Sequence, residues 1–205
     1  MPSGRRRMRA LLPLAAIAVA TAFVASVLGF GAMLGGYSQA LHPVSLLGAT
    51  GVPRGTAFNL VAFVLSGVVG ALVAIDLRTR LAKGAGWWSR IGAQMLLLSA
   101  MGLVAMGLLP LDPQDLESDA SRLHGTAWMA WIVGFVAGAA ALAFGLRRQR
   151  AAPRLALSTG LAAAAMALTA FVMPDVVGAG VAQRLAFAVW FAWLIHAARR
   201  KPLPA

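Results

Sequence analysis

The chain has 205 residues, of which 60% are hydrophobic and 12% charged, and its mean hydropathy is +0.79. That balance excludes an ordinary soluble domain, and the absence of cysteine excludes a disulfide framework, a thiolate nucleophile and a cysteine-based metal site. A net charge of +12 raises nucleic acid as a partner, but the placement of the charges assigns them to membrane orientation instead, so no nucleic acid is expected.

Six apolar stretches are long enough to cross about 30 Å of hydrocarbon. They run over residues 11–34, 56–75, 91–110, 125–146, 155–173 and 178–198. The runs are long, unalternating and rich in Ala and Leu, and lipid offers no partner for open backbone groups, so they read as helices rather than strands. The expected fold class is all-α integral membrane, a single transmembrane domain over residues 1–205. The first stretch has the basic start and apolar run of a signal peptide. That run is about twice the usual 7 to 15 residues, which favours an uncleaved first span.

Taken in chain order, the connecting segments sort the charge. Arg5, Arg6, Arg7, Arg9, Arg78, Arg80, Lys83, Arg90, Arg147, Arg148, Arg150, Arg154, Arg199, Arg200 and Lys201 fall on one side. Only Arg54, Arg122 and Arg184 fall on the other, together with Asp112, Asp115, Glu117, Asp119 and Asp175. The basic side is read as the cytoplasm, with both termini inside. The same basic clusters suit contact with anionic lipid head groups.

Residues 122–131, RLHGTAWMAW, are nearly copied at residues 184–193, RLAFAVWFAW. Helices two, four and six each follow a proline, a short loop and an arginine: Pro43 and Arg54, Pro110 and Arg122, Pro174 and Arg184. The chain therefore reads as three helical hairpins in parallel repeat, not the inverted repeat common in secondary transporters. Trp128 and Trp131, like Trp190 and Trp193, are three apart and share a helix face, as packing surface or interfacial anchors.

The three arginines are either snorkelling to head groups or ringing one outer vestibule that holds an anionic group through paired hydrogen bonds. In the second reading Arg54, Arg122 and Arg184 engage an anionic head, Asn59 and His124 orient it, and Trp128 with Trp190 flank its apolar part. Membrane lipids are then the expected partners. Small residues at four-residue spacing, Gly31 with Gly35 and Gly134 with Gly138, allow close helix approach, as does the Ala-rich fifth segment, which is expected inside the bundle or at a homo-oligomer interface.

An enzyme is the competing class. His42 and Ser45 in the first outer loop, with Asp112, Asp119 and His124 in the second, hold the donor types of a metal-assisted lipid hydrolase or of a serine nucleophile with a histidine base. No paired-histidine spacing supports a metal, and none is expected; nor is a cofactor. His196 lies about 18 Å below Arg184 at helical rise and joins neither group. The acidic loop DPQDLESDASR offers hard oxygen ligands for calcium but lacks the glycine and final glutamate of an EF-hand, so it reads as a solvated loop with Ser118, Asp119 or Ser121 capping helix four. Polar residues inside the spans are few, and the lack of a carboxylate or lysine near mid-membrane argues against proton-coupled transport. A passive transporter or accessory subunit is a third class.

The phrases HPVSLLGATGVPRGTAFNLVAFVLSG and GLLPLDPQDLESDASRLHG resemble the bacterial six-span membrane proteins grouped as domain of unknown function 998. The elements that carry the likeness are His-Pro-x-Ser-x-Leu-Gly at 42–48, the Phe-Asn start of helix two at 53–59, Gly-Leu-x-Pro at 107–110 and the region of His124. The chain departs from the pattern by a longer spacing at Pro53–Asn59. The resemblance implies a bacterial inner-membrane location and a six-span topology, and little chemistry.

Overall fold

The computed structural model describes residues 2–81, 85–149 and 152–199, with side chains from Arg9 onward. Of the cations assigned above to the basic side, Lys83, Arg150, Arg200 and Lys201 lie outside the described residues, as do the side chains of Arg5, Arg6 and Arg7. Among the described residues the regular structure is helical throughout, and six helices are long and apolar enough to cross a membrane. They are α1 (Pro2–Met33), α2 (Gly55–Arg80), α3 (Trp87–Leu108), α4 (Asp119–Arg148), α5 (Pro153–Phe171) and α6 (Ala179–Ala198).

Neighbours in sequence are neighbours in space, and α1 closes the bundle against α6. The most extensive contact is α3 on α4. It depends on small residues facing one another: a Cβ at Gly92 would lie 2.7 Å from the Gly138 carbonyl oxygen, and one at Gly134 would lie 3.2 Å from Ser99. Backbones at this separation allow Ser99 Oγ to donate to the Trp131 carbonyl at 2.7 Å. Lipid tails are as apolar as leucine, so such close packing and cross-helix hydrogen bonds, rather than hydrophobic burial, hold spans together.

Of the two small-residue pairs singled out in the sequence, Gly134 and Gly138 are thus used within the chain. A Cβ at Gly31 would meet Gln39 and Tyr37 of the following loop, and one at Gly35 would meet nothing. The Ala-rich α5 departs from an interior placement: it is the least buried span, with Leu157, Leu161, Leu168 and Phe171 exposed along it.

The centre is aromatic. Phe58 and Phe63 of α2, Trp131 and Phe135 of α4, and Phe187 and Trp190 of α6 are fully buried. Phe187 stacks on Trp131 at 4.6 Å and on Phe63 at 5.9 Å between ring centroids, so it joins all three helices. A π-helical turn at Leu60–Val64 places Phe58 and Phe63, five residues apart, edge to face at 5.5 Å.

One end of the bundle carries the acidic loops and the other the basic helix ends. At the basic end Asp76 is buried, with Arg9 Nε donating to Oδ1 at 2.6 Å and Arg80, itself buried, paired with Oδ2. Arg9 also donates to Thr79 Oγ1 at 3.1 Å, so the cluster ties the start of α1 to the end of α2. His196 meets Ser158 at 2.9 Å and thereby links α6 to α5.

Candidate functional site

At the acidic end the polar residues that line the helix heads are engaged chiefly with the backbone of the loops above them. Asn59 Nδ2 donates to the Gly48 carbonyl at 2.8 Å, His124 Nδ1 lies 2.7 Å from the Leu109 carbonyl, and the Gln183 side-chain oxygen accepts from Val44 N–H. Ser121 Oγ reaches the carbonyls of Asp112 and Asp115 at 3.0 and 2.8 Å. The two loops are joined directly by Thr50 N–H donating to the Leu111 carbonyl at 2.8 Å. Buried backbone groups demand such partners, and here the side chains supply them.

Arg184 is the most heavily engaged. Its Nη1 donates to the carbonyls of His42 at 2.9 Å and Gly180 at 2.7 Å; Nη2 donates to Tyr37 Oη at 2.6 Å and Gln39 Oε1 at 2.7 Å; Nε reaches the same Gln39 oxygen at 3.2 Å. Every acceptor is uncharged. Burial raises the Tyr37 phenol above its ordinary pKa, against the opposing pull of the Arg184 charge, which keeps the phenol neutral. The guanidinium is thus satisfied in hydrogen bonds yet keeps its whole charge.

The second half of the Gln39 amide completes a bridge. Its Nε2 donates to the Val27 carbonyl of α1 at 2.9 Å. A side chain at Gly31 would occupy that path, since its Cβ would fall 2.4 Å from Gln39 Nε2. Arg184 and Gln39 so span from α6 to α1 and form the polar head of a groove between them. Below the head the groove is apolar, walled by Phe23, Val24, Val27 and Leu28 on one side and by Phe187, Ala188 and Phe191 on the other, with a volume of about 310 Å³.

Among the sequence-derived candidates, only Arg184 stands in this groove. Arg54 is exposed, in a left-handed backbone conformation at φ 64°, and lines a separate cavity of about 160 Å³ with Phe30, Met33 and Pro53. Arg122 is exposed on the first turns of α4. Trp128 is half-buried against Trp131 and Phe187, and Trp190 is enclosed in the core, its indole filling the space beside Gly70.

The hydrolase candidates are dispersed among loop contacts. His42 Nδ1 accepts from Ser38 N–H at 2.9 Å, Ser45 is buried in the turn Val44–Gly48, Asp112 Oδ1 accepts from Gln114 N–H at 3.0 Å, and Asp119 is exposed in the first turn of α4. Among the described residues no group of three or more His, Asp or Glu side chains is placed to hold a metal ion.

Two groups escaped the sequence reading. Tyr37 and Gln39 carry no motif and find Arg184 only through the closure of α1 on α6. Asp76 carried a usable signal, an acid four residues before Arg80 on one helix face, although nothing local points to Arg9.

The chain belongs to the family described as protein of unknown function (DUF998), whose model matches residues 16–200. No curated protein and no solved structure matches it.

Proposed function

Starting from a six-span chain of the DUF998 family, we propose that it is a multi-pass bacterial inner-membrane protein that holds an amphiphile with an anionic head in the groove between α1 and α6. The observation that carries this reading is the charge of Arg184. A part-buried cation whose acceptors are all neutral is electrostatically incomplete, because desolvation costs it more than neutral acceptors return. An anion at the mouth of the groove completes it, and the apolar walls below take the tail.

The remaining residues have supporting roles. Arg54 and Arg122 add exposed positive charge to the same end and steer an anion towards it. Asn59 and His124 hold the loops that frame the mouth, while Trp128 packs on Phe187 and Trp190 on Phe191 at the groove wall. The topology that fits has both termini in the cytoplasm, since the cations crowd the other end of the bundle. The resemblance between residues 122–131 and 184–193 supports descent from a repeated hairpin, although the repeated tryptophans now have different neighbours.

The test is retention of dodecyl phosphate by the purified protein, read by native mass spectrometry. Ala188 is exposed on the groove and takes part in none of the Arg184 hydrogen bonds, so Ala188→Phe fills it from the lipid side. The wild type should retain the alkyl phosphate in preference to dodecylphosphocholine, and Ala188→Phe should lower that retention about tenfold, which is about 1.4 kcal/mol of binding. Equal retention by both proteins, with unchanged melting, would sink the assignment.

A further inference from the structure

A second groove lies at the basic end, between α4 and α5, and is separate from the one just described. Its floor is Ala143 and Gly160 and its walls are Phe144 and Leu161, with Ala140 at the rim and Arg147 lining it; its volume is about 340 Å³. The floor is closed by ordinary van der Waals contact, a Cβ at Gly160 falling 3.5 Å from Ala143 Cβ. Ala140, Phe144 and Leu161 are all exposed on the outside of the bundle. From Ala140 to Arg147 the groove follows α4 for about 10 Å, roughly a third of the hydrocarbon thickness. An occupant must therefore be apolar along the groove.

At its end the occupant meets one sign of charge. Arg147 and Arg154 are exposed and, among the described residues, make neither a hydrogen bond nor an ion pair. Arg148 lies over the Phe144 ring, 5.7 Å from its centroid, which fixes a third cation beside the same wall. The acids cannot answer them. Asp112, Asp115, Glu117, Asp119 and Asp175 belong to the loops of the opposite end, and Asp76 is buried with Arg9 and Arg80.

We infer that this groove seats one acyl chain of an anionic phospholipid, with the lipid phosphate held by Arg147 and Arg154. Arginine offers a planar, always-charged fork that matches phosphate oxygens, and basic recesses between spans are suited to anionic head groups. A soluble anion would leave the apolar walls uncovered, and an uncharged lipid would leave the arginines unanswered.

The experiment reconstitutes the full chain into vesicles of equal phosphatidylglycerol and phosphatidylcholine, extracts it gently and counts retained lipids by native mass spectrometry. The wild type should retain phosphatidylglycerol over phosphatidylcholine by about fivefold, and Arg147→Gln with Arg154→Gln should lower that preference at least about twofold, any remainder belonging to the groove between α1 and α6. Ala140→Phe, which fills the groove from an exposed position, should lower phosphatidylglycerol retention by a similar factor while dodecyl phosphate binding at the other groove is unchanged. Millimolar inorganic phosphate should not displace the lipid. The inference is overturned if the double glutamine variant keeps the preference undiminished, if Ala140→Phe retains as much phosphatidylglycerol as the wild type, or if free phosphate competes the lipid away.

Discussion

Arg184 Nη2 donates to Tyr37 Oη at 2.6 Å, and the same phenol donates to the Pro43 carbonyl at 3.3 Å. Tyr37 is the chain's only tyrosine, so phenolate absorbance reports this contact alone. Burial favours the neutral phenol, and its midpoint should lie above the ordinary value near 10 in the folded protein and return to about 10 after unfolding. A pKa raised by folding contributes stability that is complete below about pH 10 and is lost as pH rises through the folded value. Tyr37→Phe should cost about 1.5 to 3 kcal/mol at neutral pH, since one of the lost bonds is charge-assisted, and should remove this alkaline loss. Melting curves in detergent between pH 8 and 11 check both.

A methyl group at position 48 would lie 1.7 Å from Asn59 Oδ1. Gly48→Ala should therefore displace the Asn59 amide, break its bond to the Gly48 carbonyl and destabilise by about 1 to 3 kcal/mol through overpacking. Asn59→Ala leaves a buried carbonyl without its donor and should cost a similar 1 to 3 kcal/mol. Because both changes remove one contact, the double variant should be less destabilised than the sum of the two singles. Additive losses would show that the pair is not coupled.

The ion cluster at the basic end makes an asymmetric prediction. Asp76→Asn leaves the buried Arg80 without its counter-charge and should destabilise by about 3 to 5 kcal/mol. Replacing both groups, as in Asp76→Leu with Arg80→Met, removes the uncompensated charge and should recover most of that loss. Arg9→Gln, at a partly exposed member of the cluster, should cost less than Asp76→Asn. Resistance to unfolding in sodium dodecyl sulfate ranks the three.

Along the α3 and α4 seam the limiting factor is space. A Cβ at Gly92 would approach Leu142 N to 2.4 Å and the Gly138 carbonyl to 2.7 Å. Gly92→Val should force the helices apart and cost about 1 to 3 kcal/mol or more, whereas Gly125→Ala, where nothing lies within 4 Å, should be neutral or stabilising by up to about 1 kcal/mol. Paired melting measurements distinguish a seam built on contact from one in which glycine is incidental.

Hydropathy located the helices because the bilayer imposes length and composition on each span separately. The expected 178–198 and the observed Ala179–Ala198 nearly coincide. The expected 125–146 falls short of Asp119–Arg148, because the extra first turn is polar and is started by a cap from Ser118 rather than by burial. The candidate site was legible only in part. Arg184 stood out by its repeated context, but its partners Tyr37, Gln39 and His42 lie at the far end of the sequence, and pairing across such a distance is set by packing rather than by local pattern. Asn59 and His124 were recognisable as polar residues in apolar surroundings; that loop carbonyls engage them follows only from the loop paths, which hydropathy does not encode.

The closure of α1 on α6 has a consequence for biogenesis. Among the described residues Phe23 touches only Phe187 and Phe191 of the aromatic rings, and the Gln39 oxygen meets only Arg184. While the ribosome is still making the middle of the protein, the α3 and α4 hairpin can already zip together, but the first helix has no partner for that face. The groove between α1 and α6 therefore comes into being only when α6 is delivered, and a chain terminated before α6 would reach the membrane as a partial bundle without that groove.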